Sequence, residues 1–91
     1  MYFIYFSVKY QGMSKKPTSE EISQILKEIG AKVRTHRKVP FKNYEDFAKV
    51  FEFNKVTISR LENGENFTMS SLIQVLRVLD ISLEDFFTGI K

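Results

Sequence analysis

Cysteine is absent from the 91 residues, and histidine occurs only once. Without cysteine the chain cannot form disulfides or a cysteine-based zinc site, which suits a reducing cytoplasm. The sequence also lacks a glycine-rich nucleophile turn, a phosphate-binding glycine loop and any metal-ligand spacing. These absences lead us to expect no catalytic residues, no metal site and no cofactor.

The apolar segment MYFIYFSVKYQG, at 1–12, is too short to cross a membrane as a helix. It also lacks the basic start and the cleavage site of a signal peptide. Its alternating aromatic and β-branched residues predict a β-strand. A single strand beside helices needs a partner edge, most simply its copy in a second subunit. An alternative interpretation is that translation begins at Met13.

Hydrophobic residues make up 43% of the chain and include nine phenylalanines, enough for the core of one small domain. The net charge of +3 is too mild to establish nucleic-acid binding by itself. Its distribution is more informative. Residues 1–38 carry eight Lys/Arg against three Glu, whereas residues 65–91 carry two against four acidic residues. The C-terminal part is therefore better suited to contact a protein than phosphates.

Residues 13–19, MSKKPTS, are predicted to form a linker, and residues 20–91 a helical domain. Thr18 or Ser19 can cap a first helix that extends to about Lys38. Its predicted buried face consists of Ile22, Ile25 (or Leu26), Ile29 and Val33. His36 has two interpretations, a titrating switch or a partly buried histidine held by the backbone, and we favour the second.

The segment FAKVFEFNKVTISRLENG, at 47–64, predicts two short helices joined by a turn. Asn43 is expected to cap the first of them. Asn54 is expected to cap the second by accepting from the N–H of Thr57. Ile58 and Leu61 would then point inward, and Gly64 would end the helix.

Two further helices are predicted after Gly64. Thr68 can cap the first, and Ser82 can start a short last helix, LEDFF. The predicted apolar face of the longer helix consists of Met69, Leu72, Val75, Leu76 and Leu79.

Three blocks of sequence carry a resemblance to a known family: IGAKVRTHRK at 29–38, NYEDFAKVFEFNKVTISRLENG at 43–64 and SLIQVLRVLDISLEDFF at 71–87. In this order they resemble the Cro/phage-repressor (XRE) family of helix-turn-helix domains. The resemblance implies an all-α domain of about five helices, here with an additional N-terminal β-strand. Glu52 and Asp80 stand where the family usually has glycine. A left-handed glutamate costs roughly 1 kcal/mol or a little more, so the turn at Glu52 is expected to be altered. Aspartate tolerates such a helix exit better than most residues.

The resemblance also implies roles for individual residues. Those expected to face DNA bases are Lys55, Val56, Thr57, Ser59 and Arg60. Those expected near phosphates are Asn43, Tyr44, Asn63, Gly64 and Asn66. Arg37 and Glu62 are expected to form an ion pair beneath this surface.

The implied function is that of a cytoplasmic, sequence-specific transcription regulator that binds double-stranded DNA as a homodimer. The residues expected at the dimer interface are Tyr2, Ile4, Phe6, Val8, Phe86, Phe87 and Ile90. Two alternatives stay open. The chain could be an antitoxin-type regulator that also binds a toxin protein, or a protein-interaction module that has lost DNA binding.

Overall fold

A computed structural model describes residues 16–90, which form five α-helices and no β-strand. The helices are α1 (Ser19–Lys38), α2 (Tyr44–Val50), α3 (Lys55–Glu62), α4 (Met69–Val78) and α5 (Leu83–Phe87). The all-α prediction of about five helices is confirmed. The predicted strand at 1–12 and the alternative start at Met13 lie outside the described residues. Within residues 16–90, no helix combines the length and apolarity that a membrane span requires.

Each helix begins at a polar cap, as its local sequence predicts. Thr18 forms a full capping box, because its Oγ1 accepts from Glu21 N and its own N–H donates to Glu21 Oε1. One detail of the prediction is wrong. Asn54 Oδ1 accepts from the N–H of Val56 at 2.8 Å, not from that of Thr57. The short asparagine side chain here bonds two residues ahead, the usual Asx-turn geometry.

The core contains residues from all five helices, and α1 packs mainly against α3. Its members are Ile29, Val33, Phe47, Ala48, Ile58, Leu61, Leu72, Val75, Leu76 and Phe86. Phe47 and Phe86 are the largest fully buried side chains. Burying two whole phenylalanines removes a large apolar area from water, which is the main stabilising contribution in so small a domain.

Several predicted core positions are wrong. Ile22 and Ile25 are 46% and 37% exposed, so the core does not cover them at the start of α1, while Leu26, the alternative to Ile25, is half-buried. Met69 is 56% exposed because it is the first residue of α4. His36 is exposed as well, so the favoured interpretation of a partly buried histidine is wrong. The buried face of α1 continues from Val33 to Arg37, four residues on, rather than to His36.

The turn between α2 and α3 contains a left-handed glutamate, Glu52, with a φ of 59°. A left-handed non-glycine residue costs roughly 1–2 kcal/mol, so its surroundings must hold it in place. Phe51 and Phe53 flank it, and both rings pack against Phe47, with centroids 5.3 and 5.8 Å away. The N–H of Phe53 also donates to Ala48 O at 2.8 Å. These contacts hold Glu52 in a backbone conformation that glycine would adopt without strain. Asp80, with a φ of 60°, ends α4 in the same conformation.

Gly30 is required by the close approach of α1 to α3. A Cβ at this position would lie 2.5 Å from Leu61 O and 2.6 Å from Glu62 O. Both oxygens belong to the backbone and cannot move away independently. The absence of a side chain at Gly30 therefore sets how closely the end of α3 can approach α1.

Candidate nucleic-acid interface

Helix α3 has one buried and one exposed face. Ile58 and Leu61 are 1% and 0% exposed, and they attach the helix to the core. Lys55, Val56 and Arg60 are exposed on the other side, while Thr57 and Ser59 are half-buried. The five residues that the resemblance assigned to base contacts are therefore all at least partly accessible. An exposed helical face that combines cationic, apolar and hydroxyl groups can contact the edges of DNA bases.

The two cations of this face differ in their surroundings. Lys55 Nζ lies 3.7 Å from Glu45 Oε2, and both side chains are more than half exposed. An exposed ion pair of this kind is weak and easily exchanged for another partner. Arg60 has no ion-pair partner among residues 16–90. Its guanidinium is thus the more available of the two for a bidentate contact.

The candidate phosphate contacts at the start of α2 are partly used by the fold. Asn43 Oδ1 accepts from Glu45 N at 2.7 Å and Asp46 N at 3.4 Å, so its oxygen serves as the helix cap. Tyr44 is half-buried and packs against the core. Its ring is therefore held by the protein itself, before any DNA contact.

The loop after α3 uses its first three backbone donors internally. The N–H groups of Asn63, Gly64 and Glu65 donate to the carbonyls of Ser59, Leu61 and Arg60, at 3.0, 3.2 and 2.9 Å. Gly64 is also buried, with a φ of 74° that glycine adopts without strain. The resemblance implied that Gly64 contacts a phosphate, but the N–H of Gly64 already donates to Leu61 O. The exposed side chains of Asn63 and Asn66 remain available.

The predicted pairing of Arg37 with Glu62 is present in the structure. Arg37 Nη2 lies 2.7 Å from Glu62 Oε1, and Arg37 Nε donates to Oε2 at 2.9 Å, so the contact is bidentate. The two residues are only 3% and 5% exposed. Arg37 Nη1 also donates to Phe41 O at 3.0 Å. Hydrogen bonding to the Glu62 carboxylate raises the pKa of Arg37. The pair fastens the last residue of α3 to α1.

Arg34 belongs to the same network, although no motif in the sequence pointed to it. Its Nε lies 3.4 Å from Glu62 Oε1, and its Nη2 donates to Asn63 Oδ1 at 3.1 Å. The available signal was its spacing, since residues three apart on a helix lie on the same face, and Arg34 precedes Arg37 by three. The structure adds that this face meets the end of α3.

The described residues that were predicted to lie at a dimer interface pack against the core of their own subunit. Phe86 is completely buried in the core of its own subunit, so its assignment to a dimer interface is wrong. Phe87 and Ile90 are half-buried and pack against the same core. Tyr2, Ile4, Phe6 and Val8 lie outside the described residues.

The end of α5 is fastened to α1 by a lysine. Lys32 Nζ donates to the carbonyl oxygens of Phe86 and Thr88, the latter at 2.8 Å. The same ammonium lies 5.4 Å from the centroid of the Phe86 ring, within the range of a cation–π contact. These contacts explain why Phe86 is held inside its own subunit.

Comparison with known proteins supports the assignment made from the sequence. Residues 42–86 match a family model described as helix-turn-helix. No curated protein matches the chain, and no solved structure does. The matched segment runs from just before α2 into α5, and it includes the candidate base-contacting face and the loop after α3. The family model that residues 42–86 match is that of the Cro/phage-repressor (XRE) helix-turn-helix proteins, a family of DNA-binding regulators.

Proposed function

We propose that this protein is a sequence-specific transcription regulator that binds double-stranded DNA as a homodimer. The observation that carries the proposal is the division of α3 into a buried face, Ile58 and Leu61, and an exposed face that contains Lys55, Val56 and Arg60. The major groove of B-DNA, about 12 Å wide, accepts an α-helix. Helix α3 can enter it while its buried face remains attached to the core.

Each exposed residue of α3 suits a particular base edge. Arg60 can donate two hydrogen bonds to O6 and N7 of guanine, and Lys55 can donate to the same edge after leaving Glu45. Val56 can lie against a thymine methyl group. Thr57 and Ser59 are half-buried and serve as secondary contacts. Together these side chains set the sequence preference.

Phosphate contacts hold the protein in register on both sides of α3. The side chains of Asn43 and Tyr44 lie at the start of α2, and those of Asn63 and Asn66 lie in the loop after α3. These groups contact the DNA backbone, which is the same for every sequence, so they contribute affinity rather than specificity.

The first test compares Arg60→Ala with Tyr44→Phe. We expect Arg60→Ala to weaken binding to the preferred operator by about 1–3 kcal/mol and to relax the preference at one position, because a bidentate base contact is lost. Tyr44→Phe should weaken binding to the operator and to scrambled DNA by the same factor, because only a phosphate contact is lost. The measurement is a set of binding isotherms on an operator selected from random DNA and on scrambled DNA, at two salt concentrations.

Lys38→Ala provides the matched control for charge, because Lys38 is an exposed cation at the end of α1 that has no assigned role in DNA binding or dimerisation. It should leave the ratio of specific to non-specific affinity unchanged. If Arg60→Ala also leaves that ratio unchanged, Arg60 does not contact bases. If the wild-type protein shows no salt-dependent binding to any DNA, the proposed function is wrong, because binding in a groove must release counterions. The alternative of a protein-interaction module would then be preferred.

A homodimer would place two copies of α3 about 34–36 Å apart, on successive turns of a palindrome-like operator. Two features support dimerisation. Ile73 and Leu83 are 38% and 43% exposed and line a shallow groove of about 360 Å³ between α4 and α5. Residues 1–12 add apolar and aromatic side chains that need a covered surface.

Light scattering on the full-length chain and on a version that starts at Met13 tests this arrangement. We expect the full-length chain to be a dimer at micromolar concentration. A larger monomer fraction in the shorter version would assign part of the interface to residues 1–12. A dimer in both would instead place the whole interface on the helical domain. A monomer in both would contradict the proposed dimer.

A further inference from the structure

We propose that Arg34 is a positioning residue for DNA binding, which orients the side-chain amide of Asn63 so that a hydrogen-bond donor faces the DNA phosphate. The inference rests on the proposed DNA-binding function. It assigns a role to a residue on α1, outside the matched segment 42–86 and outside the helix that would enter the groove.

The orientation follows from the chemistry of the two side chains. A guanidinium has only donors, so the Asn63 atom that lies 3.1 Å from Arg34 Nη2 must be the amide oxygen. The amide nitrogen then points away from Arg34, toward Ser59 Oγ at 3.4 Å. This nitrogen carries two hydrogens, and the long contact with Ser59 uses at most one. The other can be donated to a phosphate oxygen.

The side-chain donor matters because the first three backbone donors after α3 are already used. The N–H groups of residues 63, 64 and 65 donate to carbonyls of α3. Because the backbone N–H of Asn63 is already bonded to Ser59 O, the side-chain amide nitrogen is the donor that Asn63 can still offer to a phosphate. If the amide were reversed, its oxygen would face a negatively charged phosphate, and the two acceptors would repel each other.

The buried carboxylate of Glu62 does not neutralise the charge of Arg34. Arg37 contacts both oxygens of Glu62 at 2.7 and 2.9 Å and forms a nearly complete pair with it. Arg34 lies farther from the same carboxylate, at 3.4 Å, and its side chain is 45% exposed. Two guanidiniums against one carboxylate leave one net positive charge at the surface beside Asn63. A phosphate bound there would meet an attractive field as well as a donor.

Because Arg34 is half-exposed, its proposed role in DNA binding can be distinguished from a role in stabilising the fold. Arg37 and Glu62 hold α1 and α3 together without it, because their contact is bidentate and buried. A change at Arg34 should therefore alter DNA binding more than it alters the melting temperature.

The experiment uses Arg34→Lys, Asn63→Ala and the double variant in the full-length protein. Lysine keeps the charge, but its single ammonium is attracted to Glu62 and lacks the fork that reaches Glu62 and Asn63 together. We expect each single variant to bind DNA about fivefold more weakly, on operator and scrambled DNA alike. The double variant should bind no more weakly than Asn63→Ala alone, because Arg34 acts through Asn63. Lys38→Arg, a substitution that also keeps the charge at an exposed position of α1, should bind like the wild type.

An NMR measurement gives a readout that does not depend on DNA. In the free wild-type protein the Asn63 side-chain amide should give one well-dispersed pair of signals, and in Arg34→Lys these signals should move toward those of a free asparagine. Unchanged signals in Arg34→Lys would overturn the inference, as would wild-type affinity for DNA. A double variant about 25-fold weaker, the product of the two single effects, would also overturn it, because the residues would then act independently. If wild-type isotherms show no binding to any DNA, both this inference and the proposed function fail.

Discussion

Glu62→Gln is expected to destabilise the fold by about 3 kcal/mol, although the substitution keeps the shape of the side chain. Removing one member of a buried ion pair costs about 3–5 kcal/mol, because the other charge stays buried without compensation. Arg37 is only 3% exposed and would keep Phe41 O as its hydrogen-bond acceptor. The glutamine oxygen can still accept one hydrogen bond from Arg37, so we expect the loss of stability to lie at the lower end of this range. Urea unfolding monitored by circular dichroism measures it directly.

Glu45→Gln is the matched control. It removes a carboxylate from the exposed pair with Lys55, in which both side chains are more than half exposed. The expected change is below about 1 kcal/mol, because water already solvates both charges. A loss of similar size in both variants would contradict the structural role assigned to the Arg37–Glu62 pair.

Replacing both partners should be less harmful than removing one. In the variant Arg37→Met/Glu62→Met, no buried charge is left uncompensated, and apolar side chains fill a similar volume. We expect this double variant to be more stable than Glu62→Gln. From neutral to alkaline pH, the stabilisation by Arg37 should not depend on pH. The Glu62 carboxylate raises the pKa of Arg37 on folding, so on this side the contribution is lost only when the pH approaches the unfolded pKa of arginine.

Gly30→Ala is expected to destabilise the protein by about 1–3 kcal/mol, the usual range for overpacking a close contact. Helix propensity alone predicts the opposite, a gain of roughly 1 kcal/mol for alanine over glycine inside a helix. The structure reverses the sign, because the added Cβ would lie 2.5 Å from a carbonyl oxygen of α3. The separation of α1 and α3 would then have to increase. The measurement is again the free energy of unfolding.

Ala31→Gly provides the control for helix propensity, because Ala31 is the next residue of α1 and is exposed. It should lose roughly 1 kcal/mol through propensity alone. If Gly30→Ala stabilises the protein instead, the approach of α1 to α3 is looser than the structure indicates. A shift of α3 should also reduce the affinity for DNA, since Arg34 and Glu62 connect α1 to the loop for which we propose phosphate contacts.

The helices and their caps could be predicted from sequence, because the determining interactions are local. Thr18, Asn43, Asn54, Thr68 and Ser82 each bond to a backbone N–H two or three residues ahead. The inward face of α3 was also predictable, since Ile58 and Leu61 are three residues apart on one side of a helix. The left-handed turn residues Glu52 and Asp80 were expected from the glycines that the resemblance places there.

Predictions that depended on where a helix meets its neighbours were less successful. The apolar spacing of Ile22 and Ile25 is the same as that of buried residues, yet nothing in it shows that the core leaves them uncovered. Phe86 and Phe87 are adjacent and chemically identical. The packing of α5 against α1, where Lys32 of α1 bonds to the end of α5, decides that the ring of Phe86 and not that of Phe87 is fully buried.

For the candidate interface, the sequence by itself determined the exposed face of α3 and, through the resemblance, the pairing of Arg37 with Glu62. The tertiary structure alone decided the rest, because it brings α1 against the end of α3. That approach makes Gly30 necessary and places Arg34 beside Asn63. The folded loop also shows that the N–H of Gly64 is already bonded to Leu61 O. Distances between groups some 30 residues apart depend on how whole helices pack, and no local pattern contains them.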